Sequence, residues 1–169
     1  MTDNSDPAPD LGVLTKGESF IQARLTRDFD HSQAVVWAAL TDPAKIVEWL
    51  APGQIEPAVG GAARLDFVDS GIVIDSRVSA YEAPRLLEYS WSSPGEPLRP
   101  LRWDVEPNGQ GATLTLTLQS PDGEDVARSC AGWEAHLEML AAALEGVPIK
   151  FPFERFKATR EAYKGLLPG

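Results

Sequence analysis

The chain is poor in the residues from which reaction chemistry is most often built. Its 169 residues hold one cysteine, Cys130, two histidines, His31 and His136, and two methionines. A single cysteine excludes an intrachain disulfide, and MTDNSDPAPD has neither the positive start nor the apolar run of a secretory signal, so a reducing, cytoplasmic setting is expected. Two histidines and one thiol are too few for a transition-metal site: Cys130 and His136, six apart on a helix, diverge by about 120°. No metal and no cofactor are expected. Long apolar runs are also missing, none approaching the ~18 residues of a membrane helix. Positive charge is scarce, with 15 Lys and Arg against 25 Asp and Glu for a net charge of −10. That balance repels phosphate backbones and anionic lipid heads, which argues against nucleic acid and membrane as partners.

What is present, 43% apolar and 24% charged residues, fits one globular domain of roughly 100–200 residues. Residues 1–18, rich in Asp, Pro, Ser and Gly, read as a flexible acidic arm. In FIQARLTRDFD, Ile21, Ala23, Leu25 and Phe29 alternate with polar residues as in a half-buried strand, with Arg27 on the apolar side. Asp30 or Ser32 can cap a helix reaching about Leu40. Thr41 or Asp42 can cap a second short helix with Pro43 in its first turn, Ile46, Trp49 and Leu50 as its buried stripe, and Pro52-Gly53 as its stop. A meander follows. Its strands carry Ala63, Leu65 and Phe67, then Ile72, Ile74, Val78 and Ala80, then Leu87, Tyr89 and Trp91, then Leu101, Trp103 and Val105. After the Asn108-Gly109 turn, ATLTLTLQ alternates leucine with threonine, one wet face and one that needs a cover.

The cover is a long helix, because Val126, Cys130, Trp133, Leu137, Leu140 and Leu144 recur at steps of three and four. Asp122 or Gly123 starts it, and Gly146 and Pro148 close it. The core domain therefore spans 19–147. Residues 148–169 are a basic extension: the last twenty residues carry net +3, leaving −13 on the rest, and Phe153, Phe156, Tyr163, Leu166 and Leu167 can line one side of a final helix that docks on the domain. The fold class is α+β: a curved antiparallel sheet of about six or seven strands wrapped around one long C-terminal helix, with two short helices after strand one.

Four stretches resemble one family. They are AVVWAALTDPAKIVEWLAP at 34–52, VGGAARLDF at 59–67, Pro84-Arg85-Leu86-Leu87 leading to Tyr89-Ser90-Trp91, and Gly132-Trp133 in the long helix. The likeness, over about residues 20–146, is to the START-like (SRPBCC) superfamily and, within it, to homologues of the activator of the ninety-kilodalton heat-shock chaperone ATPase, a stress-response protein. The resemblance implies a helix-grip fold with a cavity between the long helix and the sheet that often holds an apolar small molecule. It implies no single reaction, since similar folds serve lipid carriers, polyketide cyclases, hydroxylase components and the co-chaperone domain.

The residues propose no catalytic constellation. His31 lies at a helix start and His136 beside the helix stripe, so neither stands as the base of a hydrolytic triad. Cys130, central in the long helix among carboxylates, reads as a small core residue, and Val59-Gly60-Gly61 as a turn rather than a phosphate loop. The surplus is aromatic. Trp49, Trp91 and Trp133 are the expected cavity walls with Phe67 and Leu137, and Tyr89, Trp103 and His136 border the same space. Arg27 and Arg102 are expected to point inward, each needing a carboxylate such as Asp104 or Asp75, or a ligand anion. The first reading is a non-enzymatic module for a small apolar or aromatic molecule. The second is a protein-interaction domain for a heat-shock chaperone, steered by the basic segment, and the third a cyclase- or hydrolase-type enzyme. Sheet edges and the last helix leave room for a homodimer.

Overall fold

Alternation and capping build the frame that the sequence suggests, with eight strands where about six or seven were expected. The structure, a computed structural model, describes residues 11–167. In chain order its strands are β1 (Val13–Lys16), β2 (Phe20–Phe29), β3 (Gly53–Ile55), β4 (Ala62–Phe67), β5 (Ile72–Glu82), β6 (Leu86–Ser90), β7 (Pro100–Asn108) and β8 (Gly111–Pro121). Its helices are α1 (Gln33–Thr41), α2 (Pro43–Ile46), α3 (Val126–Leu144) and α4 (Phe153–Lys164). All strands join one antiparallel sheet in the order β1-β2-β8-β7-β6-β5-β4-β3.

Register places the core. Leu118, Leu116 and Leu114 of β8 stand opposite Ala23, Leu25 and Arg27 of β2 on one side and Leu101, Trp103 and Val105 of β7 on the other. These rows form one apolar face, buried throughout except at Arg27. Gly109 makes the β7–β8 turn with a φ of +63°, a conformation that glycine reaches without Cβ strain. Gly53 serves close packing instead, since a Cβ there would lie 2.1 Å from the Arg64 carbonyl oxygen.

Ser32 caps α1 by accepting from the Val35 amide, and Asp42 caps α2 by accepting from the Ala44 amide at 2.9 Å. Asp125 caps α3, accepting from the Arg128 amide at 3.0 Å. The start of α3 is thus two to three residues later than Asp122 or Gly123. Val126, Cys130, Trp133, Leu137 and Leu140 are buried, as the helical stripe requires. No described helix is long and apolar enough to cross a membrane.

The arm expected at 1–18 is corrected in part: residues 13–16 are β1, paired with β2 from Ile21 to Arg24, and residues 1–10 lie outside those described. The other added strand, β3, follows the expected stop at Pro52. The last helix docks on α3, through Arg155–Glu138 and Arg160–Asp125 ion pairs and a buried Tyr163. Of the apolar stripe expected, Tyr163 is buried, Phe156 is half-buried and Leu167 packs on the core, while Phe153 and Leu166 are exposed and Thr159 is buried instead.

Candidate functional site

The grip brings the expected aromatic residues together. Trp49 lies in the turn after α2, which ends at Ile46 before the expected stripe residues Trp49 and Leu50, and it donates its Nε1–H to the Ala39 carbonyl at 2.8 Å. Trp103 stands 5.9 Å from Trp49 and 5.5 Å from Trp133, both edge-on, and Trp133 meets Trp91 at 4.7 Å. Phe67 at the end of β4 closes the ring, 5.8 Å from Trp91 and 6.1 Å from His136. Tyr89 lies 6.5 Å from Trp91, wholly buried, and that burial pushes its phenol pKa up. Leu137 is buried one turn along α3 from Trp133.

These rings fill the space that was expected to be a cavity. Centroid separations of 4.7–6.5 Å are packing distances, and Trp49, Trp103 and Trp133 are buried. The sequence shows how many aromatic residues face inward, not whether they line a void or occupy it. Phe67, Trp91 and His136 are half-buried and form a rim, extended by Phe151, whose ring is 5.5 Å from His136 and which is 37% exposed. Phe151 belongs to the exposed connector between α3 and α4 and was missed, because no periodicity marks a connector.

His136 donates Nδ1–H to the Trp49 carbonyl at 3.0 Å, tying α3 to the turn after α2. Burial among the rings lowers its pKa from 6.5, with the Trp49 hydrogen bond opposing in part. The unfolded chain therefore binds this proton more readily than the folded one, so the stabilising effect of a neutral imidazole is complete above about pH 6.5 and lost as the pH falls toward the lower folded pKa. Thermal melts of the wild type should lose more between pH 7.5 and pH 5.5 than those of His136→Gln; equal losses would place the sensitivity elsewhere.

The two arginines part company. Arg102 is corrected: it lies on the outer face, opposite Thr117, and pairs with Asp104 at 2.9 Å in the open. Alternation with the buried Trp103 forces that direction. Arg27 does point inward, and donates to the Glu134 carboxylate on α3 and to the Thr26 carbonyl at 2.9 Å. The second Glu134 oxygen accepts from the Tyr163 hydroxyl, whose oxygen accepts from the Gly12 amide at 2.7 Å. Glu134 is only 4% exposed. Burial first, then the Glu134 contact, raises the Tyr163 pKa.

Beside this network is a polar hollow of about 320 Å³, lined by Thr26, Arg27, Asp28, Glu134, Glu138, Arg155 and Thr159. A more open hollow of about 510 Å³ lies over β3 and β4, between Pro52, Glu56 and Arg64. Neither is walled by the expected tryptophans. Cys130 is buried and its thiol is pushed up to about 12 by burial and by Glu134, which leaves it protonated and inert. His31 pairs with Glu145 at 2.6 Å at the far end of α3. Among the described residues no group of three or more His, Cys, Asp or Glu is gathered as for a metal ion.

The family model described as "Activator of Hsp90 ATPase homolog 1-like protein" matches residues 30–145, more than half of the chain. The chain belongs to this family. It is accordingly a member of the START-like (SRPBCC) superfamily, with an α+β architecture consistent with a helix grip. No curated protein matches it. Among solved structures, it is similar to CalU16 from Micromonospora echinospora, with 22% identity over 87% of this chain and 88% of that one and a TM-score of 0.73. The conserved protein of unknown function EF2215 from Enterococcus faecalis aligns over 93% and 92% of the two chains at 19% identity and a TM-score of 0.74. The protein encoded by BPP1335 from Bordetella parapertussis aligns over 100% and 97% at 26% identity and a TM-score of 0.73. The activator-homologue match ends before α4, so Arg155, Thr159 and Tyr163 lie beyond it.

Proposed function

We propose that this activator-homologue domain is a non-enzymatic binding module for a flat apolar or aromatic small molecule, taken up at the rim where Phe67, Trp91, His136 and Phe151 meet. The observation that carries the reading is the rim itself: partly exposed rings that continue without a break into buried Trp133. A ligand ring seated there replaces the Phe151 contact with one of the same kind and removes apolar area from water. Phe151 sits on a connector exposed from 145 to 151, so its displacement costs little packing. The neutral imidazole adds no charge that such a ligand would have to desolvate. Tryptophan fluorescence titrated with 1-naphthol should quench saturably, and Trp91→Phe should weaken binding at least tenfold. A linear response, or equal affinity in the variant, would contradict the reading.

A second reading, a protein-interaction domain for a heat-shock chaperone, draws on the same connector. Val147 and Ile149 are exposed there and Phe153 at the start of α4, beside Lys150 and Lys157, a surface suited to an acidic partner with apolar contacts. Sedimentation of the chain with the chaperone separates the two readings, since the first expects no complex at micromolar concentration.

A further inference from the structure

We propose that the polar hollow between β2, α3 and α4 is a second binding site, for a small zwitterion of amino-acid size whose carboxylate is held by Arg155 and whose ammonium is held by Glu138. The site is independent of the aromatic rim. Glu134 and Glu138 are one turn apart and share a side of α3 facing α4, whereas Trp133 and His136 face the rings.

The floor of the hollow is fixed. Arg27 is held by Glu134 and the Thr26 carbonyl, and Glu134 by Tyr163, so neither charge is free to follow a ligand. The upper part is different. Arg155 Nε stands 3.5 Å from Glu138 Oε2, with the two side chains 40% and 43% exposed. That separation exceeds a normal charge-assisted hydrogen bond, and an exposed pair of this kind holds weakly. A molecule carrying both charges exchanges one loose contact for two short ones, with the fork geometry of the guanidinium matched to its carboxylate.

Two observations narrow the ligand. Thr159 is 4% exposed and lines the hollow, which places a hydroxyl there for a neutral part of the ligand. The lining carries two guanidinium groups and three carboxylates, a balance of one negative charge. Simple anions are therefore disfavoured, and a zwitterion with an additional positive group is favoured over one with an additional negative group. A volume of about 320 Å³ is at the small end of ligand pockets.

The test is amide-resolved NMR titration of the full chain with L-arginine, L-glutamine and L-glutamate at low millimolar concentration. Saturable shifts at 134–138 and 155–159 are expected, with affinity falling in that order. Arg155→Gln and Glu138→Gln should each weaken L-arginine binding at least tenfold, and Trp91→Ala should leave it unchanged. Both substituted side chains are well exposed, and thermal melts check that the variants keep their fold. No saturable shift with any of the three, tightest binding by glutamate, or binding that survives both substitutions would overturn the site.

Discussion

Glu134→Ala should destabilise the protein by about 3 kcal/mol, the low end of the cost of removing one partner from a buried ion pair, because the Arg27 side chain keeps 27% of its surface exposed. The carboxylate, midway along α3, accepts from Arg27 of β2 and Tyr163 of α4 and so joins three elements. Without it, Arg27 retains, among the described residues, only its bond to the Thr26 carbonyl, and the Tyr163 hydroxyl loses its acceptor while still receiving the Gly12 amide. Against a typical total stability of about 5–15 kcal/mol the loss is large. Tyr163→Phe should cost less, about 1–3 kcal/mol, because a neutral donor is removed and the ion pair survives. The discriminating variant is Arg27→Met with Glu134→Leu, which removes both charges and should recover most of the loss. Urea unfolding midpoints at constant slope read all four proteins. A cost for Glu134→Ala below about 1 kcal/mol, or no recovery in the double variant, would show that the network does not hold α4 to the sheet.

Trp133→Ala should cost a similar amount, about 3–5 kcal/mol, for a different reason. Its ring is the junction of the aromatic cluster, meeting Trp91, Trp103 and His136 at 4.7, 5.5 and 5.8 Å. Truncation removes transfer free energy and leaves a void that neighbours on a β-sheet and a capped helix relax into only partly. Trp133→Phe should cost less than half as much, since it retains a ring. The same urea measurement decides. If alanine and phenylalanine cost equally little, the cluster is loosely packed and the filled-space description fails.

These two sites differ in how far the sequence revealed them. The leucine and threonine alternation of β8 and the i, i+3, i+4 stripe of α3 are local patterns, and local patterns predicted both elements. β1 and β3 are short edge strands, VLTK and GQI, whose only reason to be extended is the neighbour they pair with. A period of two cannot be recognised in three or four residues. Arg102 was legible all along: in β7 it alternates with Leu101 and Trp103, so an inward Trp103 sets Arg102 outward. Arg27 was legible by the same rule, but its partner was not, because Glu134 reaches it from a helix more than a hundred residues away. Glu134 did leave a trace. It lies one turn from Cys130 and beside Trp133, on the part of α3 that a second helix must cover, and Tyr163 in the last helix is a fitting donor.

The aromatic rim was half legible. Trp91, Trp133 and Phe67 come from elements that a helix grip must bring together, and the structure does so. Packing density is not written in residue identity, so the sequence could not say that the rings meet one another and fill the space.

The most direct test of the small-molecule reading is a titration of the five tryptophan indole N–H resonances with 1-naphthol. The Trp91 and Trp133 signals should shift saturably and together, while Trp37, which packs on Tyr81 at 5.8 Å in a separate contact, stays in place. Shifts spread evenly over all five, or none at Trp91 and Trp133, would contradict a binding site at the rim.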